Sequence, residues 1–61
     1  MIDLKEFDEC CELLRALLGD EMLVQRWWSS PNGAFNGSTP WETYRVDKQR
    51  VVNYVNWQAY R

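Results

Sequence analysis

Two prolines, Pro31 and Pro40, decide where helices can run in this chain. Pro31 drives Ser30 out of the helical region, so a helix arriving from the N-terminal side cannot pass Ser30. Pro40 stands between Thr39 and Trp41-Glu42, the order of an N-cap, a proline at N1 and a glutamate at N3, which starts a new helix. Residues 29–39, SSPNGAFNGST, hold two Asn-Gly pairs, each a tight-turn signal. A hairpin about Asn32-Gly33 is one option, but the flanks lack strand alternation. The reading adopted is an ordered loop with Phe35 folded inward.

The segments on either side carry the helical period. Leu4, Phe7, Cys11, Leu14 and Leu18 recur at spacings of three and four, with Cys10, Leu13 and Leu17 widening the stripe. This predicts a core helix over 4–18 with a buried thiol at Cys11. Asp3 and Glu6 form a capping-box pattern at its start, and Gly19 supplies the left-handed residue that ends it. A second helix opens at Asp20 and carries Leu23, Val24, Trp27 and Trp28. The helix from Pro40 is short, to about Arg45, and Asp47 caps the last helix, with Val46 and Val51 placed for a hydrophobic staple. Val51, Val52 and Val55 are β-branched, yet with Ala59 they fit the helical period better than alternation. That helix runs to about Ala59. The expected fold is all-α, a single domain over 1–61 built as a bundle of about four helices.

Size limits what such a bundle can do. The 61 residues include 28 apolar ones, nine of them aromatic, and nearly all must be buried to offset the ordering entropy. A core this small does not wall off an enclosed pocket of ~300–1,000 Å³, so enzymatic activity is not expected. With no His there is neither imidazole zinc ligation nor His-based proton transfer. No cofactor and no catalytic or metal-binding set is expected. The two cysteines are adjacent, which excludes a disulfide framework and makes a reducing, cytoplasmic setting the expectation. The segment MIDLKEFDE is acidic where a signal peptide is basic, and no apolar run approaches the ~18–20 residues that span a bilayer.

Charge is split along the chain. Residues 1–21 hold seven carboxylates against Lys5 and Arg15, whereas residues 22–61 hold five cations against Glu42 and Asp47. Two solvated helix faces of opposite sign account for this, as does a polar molecule whose basic half meets an acidic partner or nucleic acid.

Residues 18–42, LGDEMLVQRWWSSPNGAFNGSTPWE, resemble the C-terminal toxin-binding domain of the Xre/MbcA/ParS family of type II antitoxins. Trp27-Trp28 stands where that family has Trp-Leu, and Ser30-Pro31-Asn32 where its loop begins. Phe35 takes the place of the loop leucine, Gly37 that of the glycine, and Thr39-Pro40 that of the next helix start. Trp27, Pro31, Asn32, Phe35, Gly37 and Pro40 are then the residues that build the bend, with Trp27 and Phe35 packed inside it and Trp28 or Trp41 beside them. The family's longer members carry an N-terminal helix-turn-helix, for which these residues are expected to leave no room; the Tyr44–Asp47 connector is shorter than usual, and Trp28 and Trp41 stand where aliphatic residues are usual.

The resemblance implies an inhibitor that covers the active site of an NAD-consuming, RES-type toxin with its C-terminal helix and tail. Carried onto this chain, the partner-binding residues are Asn53, Asn56, Trp57, Tyr60 and Arg61. Independently of family, Trp, Tyr and Arg are the residue types enriched at interface hot spots. Three functions stay open: a standalone antitoxin, a phage-encoded inhibitor of a host or defence enzyme, and a single-stranded nucleic-acid binder. The last draws on Arg26-Trp27-Trp28, Tyr44-Arg45 and Tyr54…Trp57…Arg61, which interleave cations with stacking rings. The net charge of −2 and the acidic first third oppose it. A protein partner is therefore expected, with a homo-oligomer open, no membrane association, and nucleic acid disfavoured.

Overall fold

Gly19, Pro31 and Pro40 cut the chain as their chemistry requires. The computed structural model describes residues 4–61 and holds four helices: α1 (Leu4–Leu18), α2 (Glu21–Ser29), α3 (Pro40–Val46) and α4 (Lys48–Tyr60). No strand occurs among the described residues, so the protein is an all-α bundle. The expected Asp3 cap of α1 lies outside the described residues. Gly19 sits at φ +79° and its N–H bonds the Arg15 carbonyl, closing α1 in a left-handed C-terminal turn. Asp20 caps α2 by accepting from the Met22 N–H at 2.7 Å. Ser30 is extended at φ −104°, ψ 140°, as a residue before proline must be.

The loop bonds to itself. The Asn32 side chain accepts from Ala34 N–H at 2.9 Å, opening a 3₁₀ turn over Gly33–Phe35 instead of a hairpin. Asn36 and Gly37, at φ +58° and +85°, then form a turn with both central residues left-handed, closed by Ser38 N–H to the Phe35 carbonyl at 3.1 Å. The Asn32 carbonyl accepts from both Phe35 and Gly37 N–H, and its own N–H donates to Ser38. Phe35 is thereby turned into the core, 2% exposed.

At α3 the capping box is complete: Glu42 N–H donates to Thr39 Oγ1 at 3.0 Å, and Thr39 N–H to Glu42 Oε1 at 3.1 Å. The Thr39 N–H and hydroxyl both donate to Glu42 Oε1 and hold the Glu42 carboxyl below the usual range. At α4 the expectation fails in part. Asp47 is the N-cap by position, but its side chain makes no cap bond, and Val46 is 86% exposed, so no staple forms with buried Val51. One residue serves two helices here: the Asp47 N–H closes α3 on the Thr43 carbonyl at 2.7 Å. That turn throws Val46 outward.

Packing is cyclic: α1 on α2, α2 on α3, α3 on α4, and α4 back on α1. The first and last helices run side by side in the same direction. Lys48 pairs with Glu6 near their starts at 2.8 Å, and Gln58 shares a groove with Leu17 and Leu18 near their ends. The core is Cys10, Leu14, Val24, Trp28, Phe35, Tyr44, Val51 and Val55. The buried thiol is thus Cys10, not Cys11, which is half-buried. Leu4 is 70% and Leu18 37% exposed, against the expected stripe. The return of α4 beside Cys10 and Leu13 shifts the buried face of α1 toward Cys10, while Leu14 and Phe7 stay inward. Periodicity on α1 cannot show this, because its apolar band is wider than the seam.

Eight of the nine aromatic rings form one network. Trp28 lies against Phe7, Trp41 and Tyr44; Trp27 lies against Phe35 and Tyr54. The two tryptophans meet edge to face, with centroids 5.0 Å apart, and so join the two groups. Trp27 does pack at the bend, yet it is Trp28 that is buried, while Trp41 stays 37% exposed.

Candidate interaction surface

The outward face of α4 is set by what its inward face must do. Val51 and Val55 are fully buried, with Val52 and Tyr54 packed beside them, which fixes the rotation of the helix. Asn53, Trp57 and Tyr60 recur at four and three residues on the opposite side, and Arg61 follows. Trp57 is 55% and Tyr60 74% exposed. The Arg61 guanidinium lies over the Trp57 ring at 4.8 Å, a cation–π contact. Asn53 accepts from Gln49 at 2.9 Å, and the Asn56 amide donates to the Val52 carbonyl at 2.8 Å.

The structure brings Asn53, Trp57, Tyr60 and Arg61 onto one exposed face; Asn56 is half-buried at its edge. Asn56 and Tyr60 instead line an open groove of about 410 Å³ between α1 and α4, whose other wall includes Glu6, Glu9, Glu12 and Leu13. Cys10 forms part of its lining. The acidic wall is the part of this surface that sequence reading missed. Its only signal was the surplus of carboxylates in the first third of the chain, with nothing to say that α4 lies alongside. A second open groove, of about 300 Å³, is apolar and runs between Leu17, Leu18, Trp27 and Tyr54.

Charges on α4 are divided between fold and surface. No carboxylate occurs over 48–61. Lys48 is tied to Glu6 at 2.8 Å, and Arg50 donates to the Ala34 carbonyl at 3.2 Å while lying over Phe35. These two cations brace α1 and the loop. Arg61 is the cation of α4 that faces outward.

Neither thiol suits nucleophilic chemistry. Burial, then Cys11, Glu6 and Glu9, push the Cys10 thiol up to about 11. Burial also raises the Cys11 thiol, partly opposed by the neighbouring Trp28 indole and by Arg15. Among the described residues no group of three or more His, Cys, Asp or Glu is placed to hold a metal ion. No helix there is long and apolar enough to cross a membrane. Compared with known protein families, characterised proteins and solved structures, the chain matches none.

Proposed function

We propose that the protein is a protein-binding inhibitor of the antitoxin type, acting in the cytoplasm, that neutralises an NAD-consuming, RES-type enzyme by covering its active-site cleft with the end of α4. The observation that carries this reading is the exposed Trp57–Arg61 pair beside exposed Tyr60 on a helix whose core duties are met by its valines. Aromatic and arginine side chains held rigid on a helix lose little entropy on docking, and their desolvation supplies most of an interface's energy. In this reading Trp57 and Tyr60 fill apolar recesses at the cleft mouth. Arg61 presents its planar fork to the anionic groups that a nucleotide site is built to attract. Asn53 and Asn56 contribute hydrogen bonds at the rim. The bend residues Trp27, Pro31, Asn32, Phe35, Gly37 and Pro40 build the domain.

A phage-encoded inhibitor of a different host or defence enzyme uses the same surface and differs only in target. Single-stranded nucleic-acid binding has less support, because Lys48 is paired with Glu6, Arg50 is bonded to the Ala34 carbonyl, and the groove beside α4 is walled by Glu6, Glu9 and Glu12.

The test is co-expression with an RES-type toxin, with growth and cellular NAD as readouts. Full-length chain restores both, and a chain ending at Asn56 restores neither while keeping its helical circular dichroism. Equal rescue by the shortened chain overturns the assignment to the tail. No rescue by either chain overturns the toxin as target.

A further inference from the structure

The parallel run of α1 and α4 creates one face with both signs of charge on it. Glu9 and Glu12 stand along the α1 side of the larger groove, and neither is ion-paired within the described chain. At the far end stand Trp57, Tyr60 and Arg61, with Arg61 stacked on Trp57 and the edges of its guanidinium fork turned to no carboxylate. Between the two ends the groove is floored by Leu13, Val52 and buried Cys10.

Such a face is complementary to itself after a two-fold rotation. The Glu6–Lys48 pair sets the register of the two parallel helices, which brings Leu13 to within about one residue of the level of Asn56 across the groove. Arg61 is five residues beyond Asn56, about 7.5 Å along the helix. An axis through the Leu13–Asn56 level, perpendicular to the helices, reverses the second copy. Its Arg61 then comes level with the residues about 7.5 Å before Leu13, which are Asp8 and Glu9. Its Tyr60 comes over the open groove.

We propose that this face is the contact surface of a two-fold homodimer, in which each copy's Tyr60 and Arg61 dock into the other copy's groove against Glu9 and Leu13. The occupant is a second copy because charge, apolar floor and exposed ring all recur at matching levels when the face meets its own rotated image. Each cation–carboxylate pair forms twice, so one substitution changes two contacts. The dimer covers Asn56 and Tyr60, so it competes with the heterologous partner proposed above. It is measured on the isolated protein, and its failure leaves the neutralisation test untouched.

Sedimentation equilibrium from micromolar to millimolar protein reads the outcome as mass. The wild type is expected to move from 7.3 kDa to twice that value as concentration rises, with weaker association at high salt. Arg61→Glu and Glu9→Arg each weaken association by roughly tenfold or more, since each sets two like-charge pairs across the axis. The double variant Glu9→Arg, Arg61→Glu restores it. Both substituted positions are exposed, and retained helical dichroism separates loss of contact from loss of fold. A wild type that stays at 7.3 kDa at millimolar concentration overturns the proposal. So does a double variant no tighter than the singles, or a dimer that survives both reversals and is lost on Leu17→Ser, Leu18→Ser, which would place the contact at the apolar groove.

Discussion

Trp28 and Trp57 are the same residue type on two amphipathic helices, and their surroundings separate them completely. Trp28 is 7% exposed, with Phe7 at 4.7 Å and Tyr44 at 5.7 Å between ring centroids, and it closes the seam of α1, α2 and α3. Trp57 is 55% exposed, touches Tyr54 at 6.4 Å and carries Arg61 on its free face. The difference teaches where a small chain keeps its surplus apolar surface. Aromatics around the bend are consumed by folding, whereas those at the end of α4 are left over because the valines beneath them already fill the core.

The largest test of that contrast is a single truncation in the core. Trp28→Ala is expected to cost ~3–5 kcal/mol by urea unfolding, enough to leave a chain of this size largely unfolded. A loss below about 1 kcal/mol would mean that Trp28 does not hold the seam of α1, α2 and α3 together. Next comes Gly37→Ala, at about 1–2 kcal/mol, because φ +85° places a Cβ in the left-handed region, although open space surrounds the site. Strain, not crowding, is the cause, so Gly37→Asn should recover part of the loss.

Smaller still is the contrast between the two adjoining helix starts. Thr39→Ala should cost ~1 kcal/mol, and Asp47→Ala nearly nothing, since only Thr39 makes its side-chain cap. Glu42 adds a pH dependence with a definite sign. Its carboxyl is held below its unfolded value, so its contribution is present above the ordinary glutamate range and is lost as pH falls through the lowered folded value. Acid titration of Thr39→Ala should show a shallower loss across that window. Trp57→Ala should change stability by no more than ~0.5 kcal/mol while abolishing neutralisation. The least perturbing probe is alkylation, which leaves the fold in place. Half-buried Cys11 should react before Cys10, and both rates should still climb beyond the ordinary thiol range, since burial raises both thiols. Prompt labelling of Cys10 at neutral pH would show that the α1–α4 seam opens.

Much of the fold was legible because its signals are local. Ser30-Pro31, Asn32, Thr39-Pro40-Glu42 and Gly19 each act on backbone within a few residues, and each does so in the structure. Asn36-Gly37 was legible as a turn, though not the 3₁₀ turn that precedes it. Cys10 in place of Cys11, Trp28 more buried than Trp27, and the exposure of Val46 were not legible. Each depends on which helix lies opposite, and α1 meets α4 across nearly the whole chain. On the candidate surface, Trp57, Tyr60 and Arg61 could be named as surplus from residue type and position. The carboxylate wall of Glu9 and Glu12 could not be joined to them, because periodicity assigns a face to a helix but not a neighbour to that face.

By itself, then, the sequence determined an all-α chain cut at Gly19, Pro31 and Pro40, with the Thr39–Glu42 capping box of α3 and its turn residues in place. These outcomes follow from steric and hydrogen-bonding rules that act over a single turn of backbone. Tertiary structure decided which thiol is buried, which tryptophan closes the core, and that acidic α1 and cation-bearing α4 share one face. Those depend on desolvation between segments far apart in the chain, a term that exists only once α4 has come to rest against α1.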